Sequence, residues 1–164
     1  MTPVALTCAP MTRSTISSAQ ALLGIFLGDD VHYRASALAY GDGGAPALAA
    51  ALTLFLERPE LGFVWLAETV SGARQVAVGA CVVCRAISTS RGTVVAKLDD
   101  VNVHPDWLAR GVGGAMITAL LDHLREEGIA RVDSACHRDN AGAWRFYERL
   151  GFIPLDEERI ALLL

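Results

Sequence analysis

The feature that most constrains this chain is a glycine-rich turn at residues 108–113 (LARGVG). It follows an apolar, β-branched run, Thr93–Val103, and precedes a run with helical periodicity, Val112–Glu126. Glycine lets a ligand approach the backbone closely, and the first N–H groups of a helix have no carbonyl partner within the helix. The helix dipole also makes that end positive. The unit therefore predicts binding of a phosphate or pyrophosphate, with Arg110 as a candidate charged contact.

Several classes of ligand use a turn of this kind. A P-loop for ATP ends in Gly-Lys followed by Ser or Thr, which this turn lacks. A dinucleotide fold needs G-x-G-x-x-G after an early strand, whereas Gly111-Val112-Gly113 comes late and is only part of that pattern. Acyl-CoA is a third class, and a strand-to-helix connection that binds nothing is a further alternative. The turn alone leaves these open.

The rest of the chain predicts a mixed α/β fold in one domain over residues 1–164. Hydrophobic residues make up 52% of the sequence, which is enough for a packed core. Helical periodicity at residues 14–27 suggests Ser14 as the N-cap and Gly28 as the stop. Short glycine and serine links between three strands indicate an antiparallel meander, so we expect a single, mostly antiparallel, twisted sheet flanked by helices. The predicted order is strand 4–7, helices 14–27 and 47–56, strands 62–68, 76–87 and Thr93–Val103, helix Val112–Glu126, strand 131–136, helix 140–150 and strand 160–164.

Charge and cysteine usage exclude several classes of function. The net charge is −4 and Lys97 is the only lysine, so we expect no nucleic-acid partner. No run of about 20 apolar residues predicts a membrane span, and no leader pattern is apparent. Cys81 and Cys84 lie on a predicted strand, where residues three apart point to opposite faces. We therefore expect reduced structural thiols, no metal site and a cytoplasmic protein.

Two motifs resemble the GNAT superfamily of N-acetyltransferases. The strand and proline-containing turn at 98–107 (LDDVNVHPDW) lead into 108–113, where the family pattern is (Gln/Arg)-x-x-Gly-x-(Gly/Ala). Leu108 departs from that pattern, and a frame shifted to begin at Arg110 fits the letters but misplaces the turn. Residues 140–152 (NAGAWRFYERLGF) resemble the family's last helix, N-x-x-A-x-x-F-Y-x-x-x-G-F. The resemblance covers about residues 62–152 and implies the acyl-CoA N-acyltransferase fold.

The resemblance also implies that acetyl-CoA is the co-substrate and that the chain binds it mainly through its backbone. The strand is expected to splay at 101–103, where the pantetheine arm would pair like an added strand. A backbone N–H there is a candidate for stabilising the tetrahedral oxyanion. Because Leu108 replaces Gln or Arg, we expect one fewer side-chain contact. The implied cofactor-binding residues are Val101, Asn102, Val103, Leu108, Ala109, Arg110, Gly111, Val112, Gly113, Gly114, Asn140, Ala143 and Tyr147.

Three residues are candidates for acid–base catalysis. The resemblance implies that Tyr147 protonates the leaving thiolate, since a tyrosine with a pKa of about 10 keeps its proton at neutral pH. The attacking amine must lose a proton, which Asp99 or Asp100 can accept. Adjacent strand residues face opposite sides, so at most one of them is expected at the acceptor site. A solvated or salt-bridged carboxylate pair is the alternative. His104 is another candidate base, although its place before a proline favours a turn role.

The predicted function is acetyl transfer to a primary amine of a small molecule or peptide, by direct attack in a ternary complex. The strand at 98–103 also looks like that of polyamine-type acetyltransferases, but it is too short to name the acceptor. Trp65, Tyr33 and Tyr40 are candidates for lining the acceptor pocket, with core packing favoured for Trp65. A cysteine relay through Cys136 and a non-catalytic acyl-CoA sensor are the alternatives. The apolar strand 160–164 is a candidate for pairing with a second subunit in a homodimer.

Overall fold

A computed structural model describes residues 4–29, 41 and 43–155. The predicted strand at 160–164, and Tyr33 and Tyr40, lie outside the described residues. The elements in chain order are β1 Thr7–Pro10, α1 Ile16–Asp29, α2 Gly44–Glu57, β2 Gly62–Ser71, β3 Arg74–Ser88, β4 Thr93–Val103, a 3-10 turn Pro105–Trp107, α3 Val112–Glu126, β5 Val132–Ser134 and α4 Ala141–Arg149.

The described strands form one sheet in the order β1-β2-β3-β4-β5. The first four strands pair antiparallel, which confirms the predicted meander. β5 lies parallel to β4, because the chain crosses over through α3 between them. The predicted mixed α/β fold, with a mostly antiparallel sheet flanked by helices, is therefore confirmed.

The sheet separates two apolar cores, because alternate residues of each strand point to opposite faces. α3 packs on one face and contributes Val112, Met116, Ile117, Leu120 and Leu124 to a core that includes Trp65, Cys81 and Leu98. α1 and α2 pack on the other face, with Leu22, Leu23 and Leu52 against Val64, Leu66 and Val82.

Cys81 belongs to the α3 core and Cys84 packs against the α1/α2 core. The predicted opposite placement of the two thiols is therefore confirmed. Within residues 4–29, 41 and 43–155, no group of three or more His, Cys, Asp or Glu side chains is arranged to hold a metal ion. No helix of this described part is long and apolar enough to cross a membrane.

The predicted ends of α1 and β1 were wrong. α1 begins at Ile16, because Thr15 ends the preceding turn: its Oγ1 accepts from the Thr12 N–H at 2.9 Å, and its carbonyl accepts from the Ala19 N–H at 3.1 Å. Ser14 is therefore not the N-cap, and the helix runs through Gly28 to Asp29. β1 begins at Thr7, where its pairing with Glu68 of β2 starts.

Candidate active site

β4 and β5 pair over only three residues, from Ala96 opposite Val132 to Leu98 opposite Ser134. Beyond Leu98 the two strands separate, three residues before the splay predicted at Val101. The opening is part of a groove of about 2060 Å³, bounded by the described residues, that also extends along β5 and the C-terminal part of α3. Its walls include Asp99, Asp100 and Val101 from β4, Ser134 and Cys136 from β5 and the loop after it, and Asn140, Ala143 and Tyr147 from the start and body of α4.

A β-bulge shapes the β4 wall of this groove. Ala80 of β3 pairs with Asn102 and Val82 pairs with Asp99, so two β4 residues lie opposite Cys81. One of them, Asp100, has a φ of 49°, a left-handed conformation that aspartate tolerates better than most residues. A bulge of this kind redirects side chains. It breaks the regular alternation on which the prediction of opposite faces rested, and both Asp99 and Asp100 line the groove.

The two carboxylates have different surroundings. Asp99 Oδ2 lies 3.2 Å from Lys97 Nζ, so the salt-bridged alternative holds for this residue. Burial, followed by the nearby charge of Asp99, raises the pKa of Asp100 to about 6, while Lys97 opposes that shift. Asp100 is thus ionised at neutral pH, with a proton affinity suited to a general base.

Tyr147 lies on α4 and lines the same groove. The rings of Phe146 and Phe152 each lie 5.2 Å from its ring, centroid to centroid, in edge-on arrangements. Burial is the largest cause that raises the pKa of Tyr147 to about 12, and a hydrogen bond with the Ser134 side chain partly counteracts it. The phenol therefore stays protonated throughout the neutral range, as a proton donor requires.

The glycine-rich turn lies at the N-terminus of α3. Ala109 and Gly111 both adopt left-handed conformations, with φ of 58° and 80°. The first helical hydrogen bond runs from the Ala115 N–H to the Gly111 carbonyl at 3.0 Å, so the N–H groups of residues 112–114 have no partner within the helix. A Cβ at Gly114 would meet no atom within 4 Å, so this first turn is open to a close ligand.

A model of the acetyltransferase (GNAT) family matches residues 33–152 of this chain. The chain belongs to the GNAT acetyltransferase family.

Known proteins similar to this GNAT chain include two curated relatives. An uncharacterised N-acetyltransferase of Methanocaldococcus jannaschii is 35% identical over 69 residues, which cover 42% of this chain and 30% of the relative. The alanine N-acetyltransferase of ribosomal protein bS18 from Escherichia coli is 37% identical over 57 residues, 35% of this chain and 38% of the relative. The matches therefore span well under two thirds of either relative.

Among solved structures, AAC(6')-Iy in complex with the bisubstrate analogue CoA-S-monomethyl-acetylneamine has a TM-score of 0.69 to this chain. The alignment covers 98% of this chain and 97% of the other at 16% sequence identity. An identity this low shows a shared fold. It supports the family assignment through the architecture rather than through individual site residues.

A glycine of this GNAT turn serves the packing of the fold. A Cβ at Gly113 would lie 3.3 Å from Phe146 and 3.4 Å from Val103, so this glycine permits α3 to approach α4 and β4. Beside the turn, the Arg110 guanidinium lies 5.1 Å from the centre of the Trp107 ring, a cation–π contact. Leu108, where the family has Gln or Arg, is 58% exposed.

Three other candidates have structural roles. His104 Nδ1 accepts from the Asp106 N–H at 3.3 Å, so this histidine caps the turn, as its position before a proline favoured. Asn140 caps α4, with Oδ1 accepting from the Ala143 N–H at 3.0 Å. Trp65 is 3% exposed and donates its indole N–H to the Met116 carbonyl, so it belongs to the core, as predicted.

The thiols near the groove are poor nucleophiles. Burial raises the pKa of both Cys136 and Cys81, and the nearby Asp100 and Asp99 raise that of Cys81 further. Since the thiolate is the reactive form, both groups remain largely unreactive thiols at neutral pH. This weakens the alternative of a cysteine relay.

Sequence reasoning missed three residues of the groove. Ser134 lines the groove and lowers the pKa of Tyr147, Lys97 pairs with Asp99, and Phe26 of α1 also lines the groove. A signal existed for two of these residues, since Ser134 is a polar residue within the predicted strand 131–136 and Lys97, the only lysine, interrupts the apolar strand 93–103. No sequence signal indicated Phe26, because its position at the groove depends on how α1 packs on the sheet.

Proposed function

We propose that this protein is an N-acetyltransferase that moves the acetyl group of acetyl-CoA to a primary amine of a small molecule or peptide, by direct attack in a ternary complex. The observation that carries the proposal is that Asp100 and Tyr147, whose pKa values burial raises to about 6 and about 12, line one groove. A base and a proton donor at the same site are what aminolysis of a thioester needs.

The residues around the groove fit acetyl-CoA, which supplies the acetyl group as a thioester. Residues 99–103 of β4 have no β5 partner among the described residues, so their backbone can accept an amide-containing arm as an added strand. The N-terminus of α3 presents N–H groups and a positive dipole to a pyrophosphate, and Gly114 leaves it room. Arg110, held on Trp107, adds positive charge beside it.

Asp100 acts as the general base. An alkylammonium has a pKa near that of lysine, about 10.4, and must lose a proton before its nitrogen can attack. The Asp100 carboxylate accepts this proton directly or through a water molecule. Asp99, paired with Lys97, contributes to the negative field that attracts the cation and keeps Asp100 basic.

Tyr147 acts as the general acid. As the amine nitrogen bonds to the acetyl carbon and the carbon–sulfur bond breaks, the Tyr147 hydroxyl donates its proton to the departing sulfur, and the proton that the nitrogen then loses restores the phenol. The Ser134 side chain lowers the pKa of the phenol and so partly offsets the effect of burial. The raised pKa of Cys136 argues against a covalent intermediate on that thiol, which supports direct transfer.

The test combines the purified protein with acetyl-CoA and a panel of primary amines, and follows release of free thiol. We expect turnover on at least one amine, and Tyr147→Phe to lower kcat about 100-fold or more. Acetyl-CoA affinity, measured by calorimetry, should stay the same in this variant, since the ring that packs between Phe146 and Phe152 is kept.

Two outcomes would contradict the proposal. Acetyl-CoA binding without turnover on any amine would favour the non-catalytic acyl-CoA sensor. Turnover undiminished in Tyr147→Phe would remove the general-acid role from this residue.

A further inference from the structure

Lys97 is the only lysine of the sequence, and its side chain lines the groove of the proposed active site. The residue lies on β4, opposite Cys84 of β3 on one side and Asp133 of β5 on the other. Its flexible stem ends in a primary amine. The protein therefore carries, within its own groove, the same chemical group as the proposed acceptor.

The side chain of Lys97 points to the face of the sheet that α1 and α2 cover. Cys84, directly opposite on β3, packs against the α1/α2 core, and paired residues of neighbouring strands share a face. Asp99 pairs with Val82, a residue of the same core, so it lies on this face too. Lys97 and Asp99 are therefore neighbours along one side of β4, before the bulge begins.

The amine of Lys97 is directed along β4 towards the open part of the groove. Its Nζ lies 3.2 Å from Asp99 Oδ2. Asp99 follows Leu98, the last β4 residue that pairs with β5, so the amine lies where the two strands begin to separate. An ion pair between side chains that are 37% and 30% exposed is weak, so it can release the amine.

Electrostatic interactions connect this ion pair to both proposed catalytic groups. Burial is the largest cause that raises the pKa of Asp100, and the positive charge of Lys97 opposes that shift. Burial also raises the pKa of Tyr147, and the negative charge of Asp99 adds to it. Lys97, Asp100 and Tyr147 line the same groove. The protein's own amine thus lies in the field of the base and the proton donor that the proposed reaction uses.

We propose that Lys97 is a site of self-acetylation, at which the protein transfers the acetyl group of acetyl-CoA to its own side chain. This inference rests on the proposed function of the groove. The Lys97 ammonium loses one proton to Asp100, which passes it to water, and Nζ then forms a bond to the acetyl carbon. The carbon–sulfur bond breaks, Tyr147 protonates the sulfur, and the second proton that the nitrogen loses restores the phenol. The products are an acetyl-lysine and the free thiol of CoA.

The position of Lys97 within the chain has two consequences. Its reaction needs no encounter with a separate acceptor, because the amine is already held at the groove. Acetylation also converts the ammonium into a neutral amide and so removes the ion pair with Asp99. The groove then carries one positive charge fewer, which favours a cationic acceptor.

Incubation of the purified protein with saturating acetyl-CoA and no added amine tests the proposal. Mass spectrometry of the intact protein, followed by peptide mapping, should find an acetyl group on Lys97. The first-order rate constant should stay the same when the protein is diluted about tenfold, since the reaction occurs within one molecule. A rate constant that falls in proportion to the dilution would show transfer between molecules and overturn the proposal.

Two controls separate self-acetylation from direct chemical reaction with the thioester. Tyr147→Phe should slow the acetylation of Lys97 about 100-fold or more, and wild type unfolded in urea should also react slowly. Arg74→Lys adds an exposed lysine on β3 and leaves Lys97 in place, so the added amine is a matched control that should stay unmodified. Equal acetylation of the two lysines, or of folded and unfolded wild type, overturns the proposal.

Failure of the proposed function can be told apart from failure of this site. If the wild type releases thiol with an added amine while Lys97 stays unmodified, the site is overturned and the proposed function stands. If neither an added amine nor Lys97 is acetylated, both are overturned. Acetylation of Lys97 without turnover on any added amine supports the site and overturns the proposed transfer to a separate acceptor.

Discussion

Burial raises the pKa values of both Asp100 and Tyr147, and at neutral pH the two shifts have opposite consequences. A carboxyl group moved to about 6 is still ionised but has become a stronger base. A phenol moved to about 12 is held more firmly in its protonated form. One half-buried environment therefore supplies both a proton acceptor and a proton donor to the same groove.

The first prediction concerns activity. Asp100→Asn should lower kcat/KM about 100-fold or more, and it should remove the acidic limb that we expect near pH 6 in the pH profile of the wild type. Asp122→Asn, on the exposed side of α3, is the matched control and should leave rate and profile unchanged. An acidic limb near pH 6 that persists in Asp100→Asn would assign the base to another group.

The second prediction concerns stability. The folded-state pKa of Asp100, about 6, lies above the unfolded value, near 3.8, so the folded state binds more protons between these limits. The contribution of Asp100 to stability therefore falls as pH rises from about 4 to about 6, by roughly 1–2 kcal/mol for a partly buried carboxylate.

Urea unfolding at a series of pH values measures this effect. The free energy of unfolding of the wild type minus that of Asp100→Asn should decline across this window and level off above it. A difference that is flat or rises with pH would contradict the raised pKa of Asp100.

At the scale of elements, three glycines at the N-terminal end of α3 have different surroundings. Gly111 ends the turn with a φ of 80°, Gly113 permits the close approach of Phe146, and Gly114 faces open space. The three positions are close in sequence, but the demands on them differ. The turn, the helix packing and the approach of a ligand each need a missing Cβ at a different place.

The third prediction compares two of these glycines. Gly113→Ala places a Cβ 3.3 Å from Phe146, so it should be less stable than Gly114→Ala by about 1–3 kcal/mol. Alanine is the better helix former at both positions, so this gain cancels in the comparison. Chemical denaturation of the two variants measures the difference in unfolding free energy. Equal values would mean that α3 and α4 accommodate the added methyl group without loss of stability.

At the scale of the whole molecule, the sheet separates two apolar cores, and its β4–β5 end is open. α3 covers one face and α1 and α2 cover the other, so β2 and β3 are apolar on both faces. At the β4–β5 end, pairing stops after three residues, and polar side chains line the separation. The groove is therefore a consequence of the topology, supported by a rigid sheet.

The fourth prediction tests how much the packing of α3 on the sheet contributes to stability. Leu120 is fully buried in the α3 core. The substitution Leu120→Ala should therefore lower the free energy of unfolding by about 2–5 kcal/mol. Leu54→Ala, at a 49% exposed position of α2, should cost about 0.5 kcal/mol or less. Urea titration of both variants measures the contrast. Similar losses at both sites would contradict the assignment of α3 to the core.

Local patterns were sufficient to predict much of the fold. The bounds of β4 and α3 agree with their predicted bounds, because glycine or proline residues mark both ends of each element. The ends of α1 were wrong, because Thr15 rather than Ser14 holds the preceding turn and a single glycine at 28 does not stop a packed helix. Of the candidate acid–base residues, Asp100 and Tyr147 were named from the sequence, although nothing in it separated Asp100 from Asp99.

The sequence by itself determined the order of elements, the glycine turn before α3, and the family, since these depend on short-range patterns and motif spacing. Only the tertiary structure decided where β4 and β5 part, that a β-bulge brings both Asp99 and Asp100 to the groove, and that burial raises the pKa of Asp100. Register shifts, burial and cavities arise between elements far apart in the chain. Residues such as Leu22 and Asn102 become neighbours only when the helices pack on the sheet.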